Sequence, residues 1–197
     1  MRRIVVGISG ASGAIYAQGV IRALVAAGVE VHLVVSTWGR RLLRDELGME
    51  QVNLETLAGR GDHGIILYNN NDVGAAIASG SFQHDGMIIV PASSNALASV
   101  ANGLGDNLLY RAAAVTLKER RKLILCHREM PLTHIDIENM HRLSLAGGII
   151  APGNPGWYLL PQNTQDLADF VVARLLDLLG LEHAVGKRWG ERAPVQG

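Results

Sequence analysis

A chain of 197 residues is long enough for one domain with a full hydrophobic core. Lys and Arg number 18, as do Asp and Glu, so the formal net charge is zero, which argues against a general nucleic-acid binder. Apolar residues make up 48% of the chain, but no apolar run reaches the roughly 18 residues a membrane span needs.

The first strand is predicted at 3–8. Its apolar residues Ile4, Val5, Val6 and Ile8 lead into Gly10-Ala11-Ser12-Gly13 and a helix over 13–27. Strand, small-residue turn and helix start in that order form a phosphate-binding arrangement. Backbone N–H groups point out of the helix start, and glycine lets a phosphate approach the backbone. Gly7, Gly10 and Gly13 fall three apart, which is neither the dinucleotide G-x-G-x-x-G nor a Walker A sequence. A mononucleotide such as FMN fits this turn better than NAD; a helix start without a ligand is the alternative. Arg2-Arg3 is followed by strand and glycines rather than a cleavage-type segment, so no signal peptide is expected.

A second strand at 31–35 ends in Ser36, whose hydroxyl can cap the next helix, 38–47, or bind a flavin. Glu46, eight residues into that helix, is either a solvated acid or a member of a site. Residues 60–73 read as irregular, with a short strand allowed at 64–68. The strongest strand, 86–91, runs into Pro91-Ala92-Ser93-Ser94-Asn95 and a helix over 94–103. Small hydroxyl residues there hydrogen-bond the polar edge of a flavin ring or serve as ordinary N-caps.

The helix predicted at 107–120 carries Arg111 and Lys118, seven apart and so facing nearly the same way. A strand at 122–126 follows, then Arg128-Glu129. Cys126, the one cysteine, excludes an intrachain disulfide and suits a reducing cytoplasm. Its neighbours Leu123-Ile124-Leu125 make it a buried strand thiol rather than a nucleophile. A helix at 134–146, a strand at 148–151 and a helix at 164–179 complete the pattern. In the last helix Arg174 stands among nearly all-apolar neighbours with no obvious partner. It snorkels or binds an anion, and cations converging on a strand end favour the anion. The seven histidines show no metal-ligand spacing, so no metal site is expected; His134 and His141 read as packing or surface residues. A polar tail begins at about 183 and holds Trp189.

Strands alternating with helices predict one α/β domain over 1–197, a three-layer sandwich around a central, mainly parallel sheet. Ligands in such sheets collect at the carboxyl ends of strands, which points to the loops 9–13, 36–38, 91–96 and 127–131.

Several segments then appear in order: VGISGASGAIY from Val6, ASGSFQHDGMIIVP from Ala78, NGLGDNLLYRAAAVTLKERRKLIL from Asn102, REMPL from Arg128, HIDIENM from His134 and KRWGE from Lys187. Together they resemble the UbiX-type, or Pad-type, flavin prenyltransferases, within the superfamily that includes flavin-containing cysteine decarboxylases. The resemblance implies a Rossmann-like subunit of a homo-oligomer, a dodecamer, with FMN bound between subunits. It implies transfer of a dimethylallyl group from dimethylallyl monophosphate to reduced FMN, without a metal. The prenylated FMN would serve a UbiD-type decarboxylase. By the same resemblance Gly10, Ala11, Ser12, Ser36, Ser93 and Arg111 would hold FMN, with Ser94, Asn95 and Ala96 in the same loop. Lys118, Arg128, Tyr158 and Arg174 would hold the prenyl phosphate. Ser12, Glu46, Glu129 and Lys118 would be the catalytic set.

Two stretches depart from the family pattern. The usual Pro-Cys-Ser-x-x-Thr is here Pro91-Ala92-Ser93-Ser94-Asn95-Ala96, and the usual Ala-Phe-Tyr-x-Arg-Pro is Gly156-Trp157-Tyr158-Leu159-Leu160-Pro161. They leave two other readings open: an FMN-binding carrier or subunit without prenyl transfer, and a flavin-dependent cysteine decarboxylase.

Overall fold

The structure is a computed structural model that describes residues 1–186 and Arg188. Six parallel strands form one sheet: β1 (Arg3–Ile8), β2 (Glu30–Val35), β3 (Ile66–Tyr68), β4 (Gly86–Ala92), β5 (Leu123–His127) and β6 (Ile149–Ile150). Their order is β3-β2-β1-β4-β5-β6. The chain winds outward from β1 through β2 to β3, then returns to lay β4 beside β1 and winds out the other way. The loops leaving β1 and β4 therefore diverge, and this reversal opens a crevice at the carboxyl ends of the strands.

Helices cover both faces: α1 (Ala14–Ala26), α2 (Thr37–Leu47), α3 (Leu54–Ala58), α4 (Ser94–Ala101), α5 (Leu108–Lys118), α6 (His134–Leu145) and α7 (Thr164–Leu179), with a 3₁₀ turn at Ala76–Ala78. The unbroken apolar strands are explained by this double cover. Ile4, Val6 and Ile8 face a core shared with α1 and with Val171, Val172 and Leu175 of α7. Val5, Met87 and Ile89 face a second core built with Leu97 of α4 and Leu109 of α5. Each such side chain contributes about 1.5–3 kcal/mol when fully buried. Among the described residues no helix is long and apolar enough to cross a membrane.

The predicted strands and long helices are present with shifts of a residue or two at their ends, apart from the strand expected at 148–151, which shrinks to the two residues of β6. The sequence reading contained neither α3 nor the 3₁₀ turn. Trp189 and the rest of the tail beyond Arg188 lie outside the described residues.

Cys126 is fully buried in β5, and burial pushes its thiol up to about 12. A thiolate is the reactive form. The native protein is therefore expected to resist iodoacetamide at pH 8 and to react at one site once unfolded in guanidinium, as read by mass. Rapid labelling of the folded protein would refute the assignment.

Candidate active site

The crevice is fastened by a residue that sequence reasoning missed. Ser9, directly after β1, is buried; its hydroxyl donates to the Pro91 carbonyl at 3.0 Å and accepts from the Ser93 amide at 2.9 Å. These bonds hold the ends of β1 and β4 together at the switch point. Its signal in the sequence was only a polar residue between Ile8 and Gly10.

Two capped helices start at the same level. Ser36 caps α2, accepting from the Gly39 amide at 3.0 Å, and Ser93 caps α4, accepting from the Ala96 amide at 3.2 Å. Each cap uses the oxygen as acceptor and leaves the O–H free to donate to a ligand. The start of α2 lies against the β1 end without a gap. A Cβ on Gly10 would overlap Trp38, and one on Gly39 would overlap the Ile8 carbonyl.

Between these turns and the start of α5 lies a cleft of about 390 Å³, lined by Ser36, Thr37, Asn70, Ser93, Asn95 and Asp106 among others. Its size lies within the usual range for small-ligand sites. Asn95 donates to the Tyr110 hydroxyl at 3.0 Å across the cleft wall. Burial raises the Tyr110 pKa above its ordinary value, with the bonds to Asn95 and Ser99 opposing. Arg111, exposed near the start of α5, lies along Gly105 beside the rim.

A second group sits beside the cleft, across the Gly10–Gly13 turn. The carboxylate of Glu46 accepts from the Gly13 amide at 3.0 Å and the Ala14 amide at 2.8 Å. This corrects the expectation that the α1 start is open to a phosphate: its free amides are given to an acid from α2, which suits the positive end of the helix dipole. Tyr16 follows on α1, its hydroxyl 3.4 Å from the Gly153 carbonyl. Its pKa is raised first by burial and then by the nearby Cys126, with Arg128 opposing and Glu46 adding. Arg128 packs its stem against the same Gly153. Its Nε is buried without a hydrogen-bond partner. A buried, unpaired donor on a half-buried cation is costly unless an anion completes it.

The remaining expected residues are placed as follows. Gly10, Ser36, Ser93 and Asn95 line the cleft. Ala11 is buried and Ser12 exposed next to them. Ala96 is buried inside α4, and the Ser94 hydroxyl turns to His127 at 3.3 Å, so these two do not face the cleft as expected. Glu129 is exposed and its carboxylate accepts from the Met130 amide at 3.0 Å. Tyr158 is half exposed, its ring edge-on to Phe170 at 5.6 Å.

Two cations lie elsewhere in the chain. Lys118 ends α5 beside Gly80, paired with Glu119, near the amino end of the sheet where β4 begins. Arg174 lies in the second half of α7, whose last carbonyls are bound by Arg2 and Lys122 at that same amino end. The expectation that Arg174 lacks a partner is corrected: its guanidinium meets Asp177 at 3.2 Å and its side chain is 64% exposed. The apolar neighbours face the core while Arg174 takes the solvent side of α7. Asp177 also receives His183 at 3.2 Å and Arg188 at 3.0 Å. Among the described residues no group of three His, Cys, Asp or Glu is arranged to hold a metal.

Comparison with known proteins follows the same lines. Residues 1–176 match the family described as Flavoprotein. A flavin prenyltransferase, LpdB of Lactiplantibacillus plantarum, is 46% identical over 190 residues, covering 96% of this chain and 98% of that protein. The crystal structure of AnUbiX in complex with FMN and dimethylallyl pyrophosphate has a TM-score of 0.89 at 40% identity, covering 98% of this chain and 99% of that one. A dodecameric FMN-dependent UbiX-like decarboxylase from Escherichia coli has a TM-score of 0.87 at 41% identity, covering 95% of this chain and 98% of its own.

Proposed function

The chain belongs to the flavoprotein family, among its UbiX-type flavin prenyltransferases, and from that premise we propose that it transfers a dimethylallyl group from an allylic phosphate to reduced FMN. The observation that carries this reading to the residues is the buried, unpaired Nε of Arg128 beside a cleft of mononucleotide size. The cleft fits FMN: hydroxyls with free O–H groups at Ser36 and Ser93 and an amide at Asn95 serve its polar edges, and Arg111 at the rim serves its phosphate. Reduced flavin supplies the nucleophile, at N5 and the adjacent ring carbon.

The chain's own residues handle the leaving phosphate. Arg128 holds it, and a guanidinium matches phosphate geometry with two parallel donors. Glu129 orients that cation or accepts a proton, Glu46 fixes the α1 start, and Ser12 would face the edge of a bound flavin. Tyr158 closes the side toward α7. A monophosphate held by side-chain cations needs no metal.

Lys118 belongs to this set by resemblance, yet it stands at the opposite end of the sheet from Arg128. It serves the phosphate only from another copy of the chain, and Arg174 is assigned in the same way. The proposed state is accordingly a homo-oligomer, a dodecamer like the Escherichia coli relative, with the flavin at a subunit contact. The whole chain acts as one domain in this assembly. A UbiD-type decarboxylase receives the product, and the buried reduced thiol suits the cytoplasm.

The test is anaerobic incubation of the protein with reduced FMN and dimethylallyl monophosphate, followed by mass analysis of the flavin. The expected result is a flavin heavier by one five-carbon unit. FMN that binds tightly and returns unmodified with any short allylic phosphate would replace this reading with that of a flavin carrier.

A further inference from the structure

The loop that departs from the family pattern has its own set of contacts. Ser94 is the first residue of α4, one position past the cap Ser93. Its Oγ lies 3.3 Å from Nε2 of His127, the last residue of β5, which is buried. The carboxylate of Asp136, also buried, stands in the first turn of α6 near enough to the same hydroxyl to feel it. Asp136 closes a capping box with Thr133, accepting from its amide at 2.9 Å and its hydroxyl at 2.6 Å. The Ser94 and Thr133 donors hold the Asp136 carboxyl below the usual carboxylate range.

One direction of bonding suits these contacts. An ionised carboxylate only accepts, so toward Asp136 the Ser94 O–H can act only as donor. With the O–H so turned, the Ser94 oxygen accepts from His127 in the tautomer that carries its proton on Nε2. Burial pushes the imidazole below its ordinary pKa, with Asp136 and Glu129 opposing and Arg128 adding, and the neutral ring with its proton on Nε2 is all that the chain of bonds requires. Both ends of the 128–133 segment are thus held: Ser94 meets His127 before it, and the Thr133–Asp136 box closes it beside the same hydroxyl. That segment carries Arg128 and Glu129. At its start the Arg128 amide donates to the Ala92 carbonyl at 3.2 Å, while Met130 within it is exposed.

We propose that Ser94, His127 and Asp136 are positioning residues that clamp the 128–133 segment and so set where Arg128 and Glu129 meet the allylic phosphate. The proposal rests on the reading of Arg128 as the phosphate-holding cation. Ser94 supplies a group that donates and accepts at once, and His127 a rigid N–H donor.

The test compares Ser94→Ala with Ser94→Thr in the full chain. Ser94→Ala is expected to lower kcat/KM for dimethylallyl monophosphate by about 10–100-fold, the scale of a misplaced binding group. The FMN dissociation constant, read by flavin fluorescence, should stay within about twofold of wild type, since the hydroxyl faces away from the cleft. Ser94→Thr keeps the hydroxyl and should restore the rate. Hydrogen exchange supplies a readout that needs no turnover: amides in 128–133 should exchange faster in Ser94→Ala than in wild type, and at the wild-type rate in Ser94→Thr. A lowered melting temperature with unchanged kcat/KM and unchanged exchange in 128–133 would overturn the clamp. Equal weakening of FMN binding would overturn it too, because it would put Ser94 in the cleft. A wild-type protein that transfers no prenyl group refutes the parent reading instead, and the exchange comparison then decides the clamp alone.

Discussion

Arg128→Met is expected to cut prenyl transfer by about 10²–10³-fold, the effect of removing one charged donor from a developing anion. The same substitution should leave the fold as stable as before or slightly more so. Methionine keeps the stem that packs against Gly153 but removes a guanidinium whose Nε is buried without a partner. A buried donor left unsatisfied costs about 1–3 kcal/mol, so its removal relieves the folded state of that cost. The melting temperature and kcat/KM should therefore move independently, which is unusual for a change at a half-buried position. The measurement is steady-state transfer with dimethylallyl monophosphate alongside thermal unfolding. A large loss of stability with transfer intact would mean that Arg128 is structural.

Gly39→Ala is expected to damage both the fold and the flavin cleft. Gly39 lies in the first turn of α2, with its amide given to Ser36 and no room for a side chain against the Ile8 carbonyl. A backbone oxygen cannot swing aside as a flexible side chain can. The helix start has to lift off β1, and overpacking of this kind costs about 1–3 kcal/mol. Ser36, Thr37 and Trp38 move with it, and all three line the cleft. FMN affinity should fall by at least about tenfold, a loss of roughly 1.4 kcal/mol, together with a lower melting temperature. Gly28→Ala, which meets nothing within 4 Å but sits at a φ of 68°, is the comparison. It strains the backbone far from the cleft and should lower stability while sparing FMN binding. If Gly39→Ala binds FMN like wild type, the contact of α2 with β1 does not set the cleft.

Most of the architecture was legible because the strands are unbroken apolar runs and the long helices repeat at the right period. Helix α3 was not, for a plain reason: it has five residues, held by its Asn53 cap and the buried Leu57 and Ala58, which is too short for a periodic signal. The site was legible where the chain order itself brings groups together. Ser36 follows β2, and Ser93 and Asn95 follow β4, the two strands that flank β1, so a correct topology delivers them to one cleft. Glu46 shows the limit. Its carboxylate meets Gly13 and Ala14, some thirty residues earlier, and only the way α2 folds back over β1 puts it there. Ser9 and Tyr16 were missed because a small polar residue and an aromatic one beside a glycine turn look alike in any sequence. The Arg174–Asp177 pair was readable from its spacing of three along α7 but was passed over beside so many apolar neighbours. The placement of Lys118 at the wrong end of the sheet for one chain followed from topology alone.

The sheet ends in very short strands: β3 has three residues and β6 has two. A free strand margin is a template on which another chain can continue the ladder, and a long one invites runaway association. Here each margin offers too few backbone groups to seat a newcomer. Crowding many copies of this protein together, as the proposed assembly requires, therefore carries little risk of sheet-to-sheet pairing. Contacts between copies have to run through side chains on helices and loops, which fix an angle and can close on themselves, and not through backbone pairing, which repeats without end.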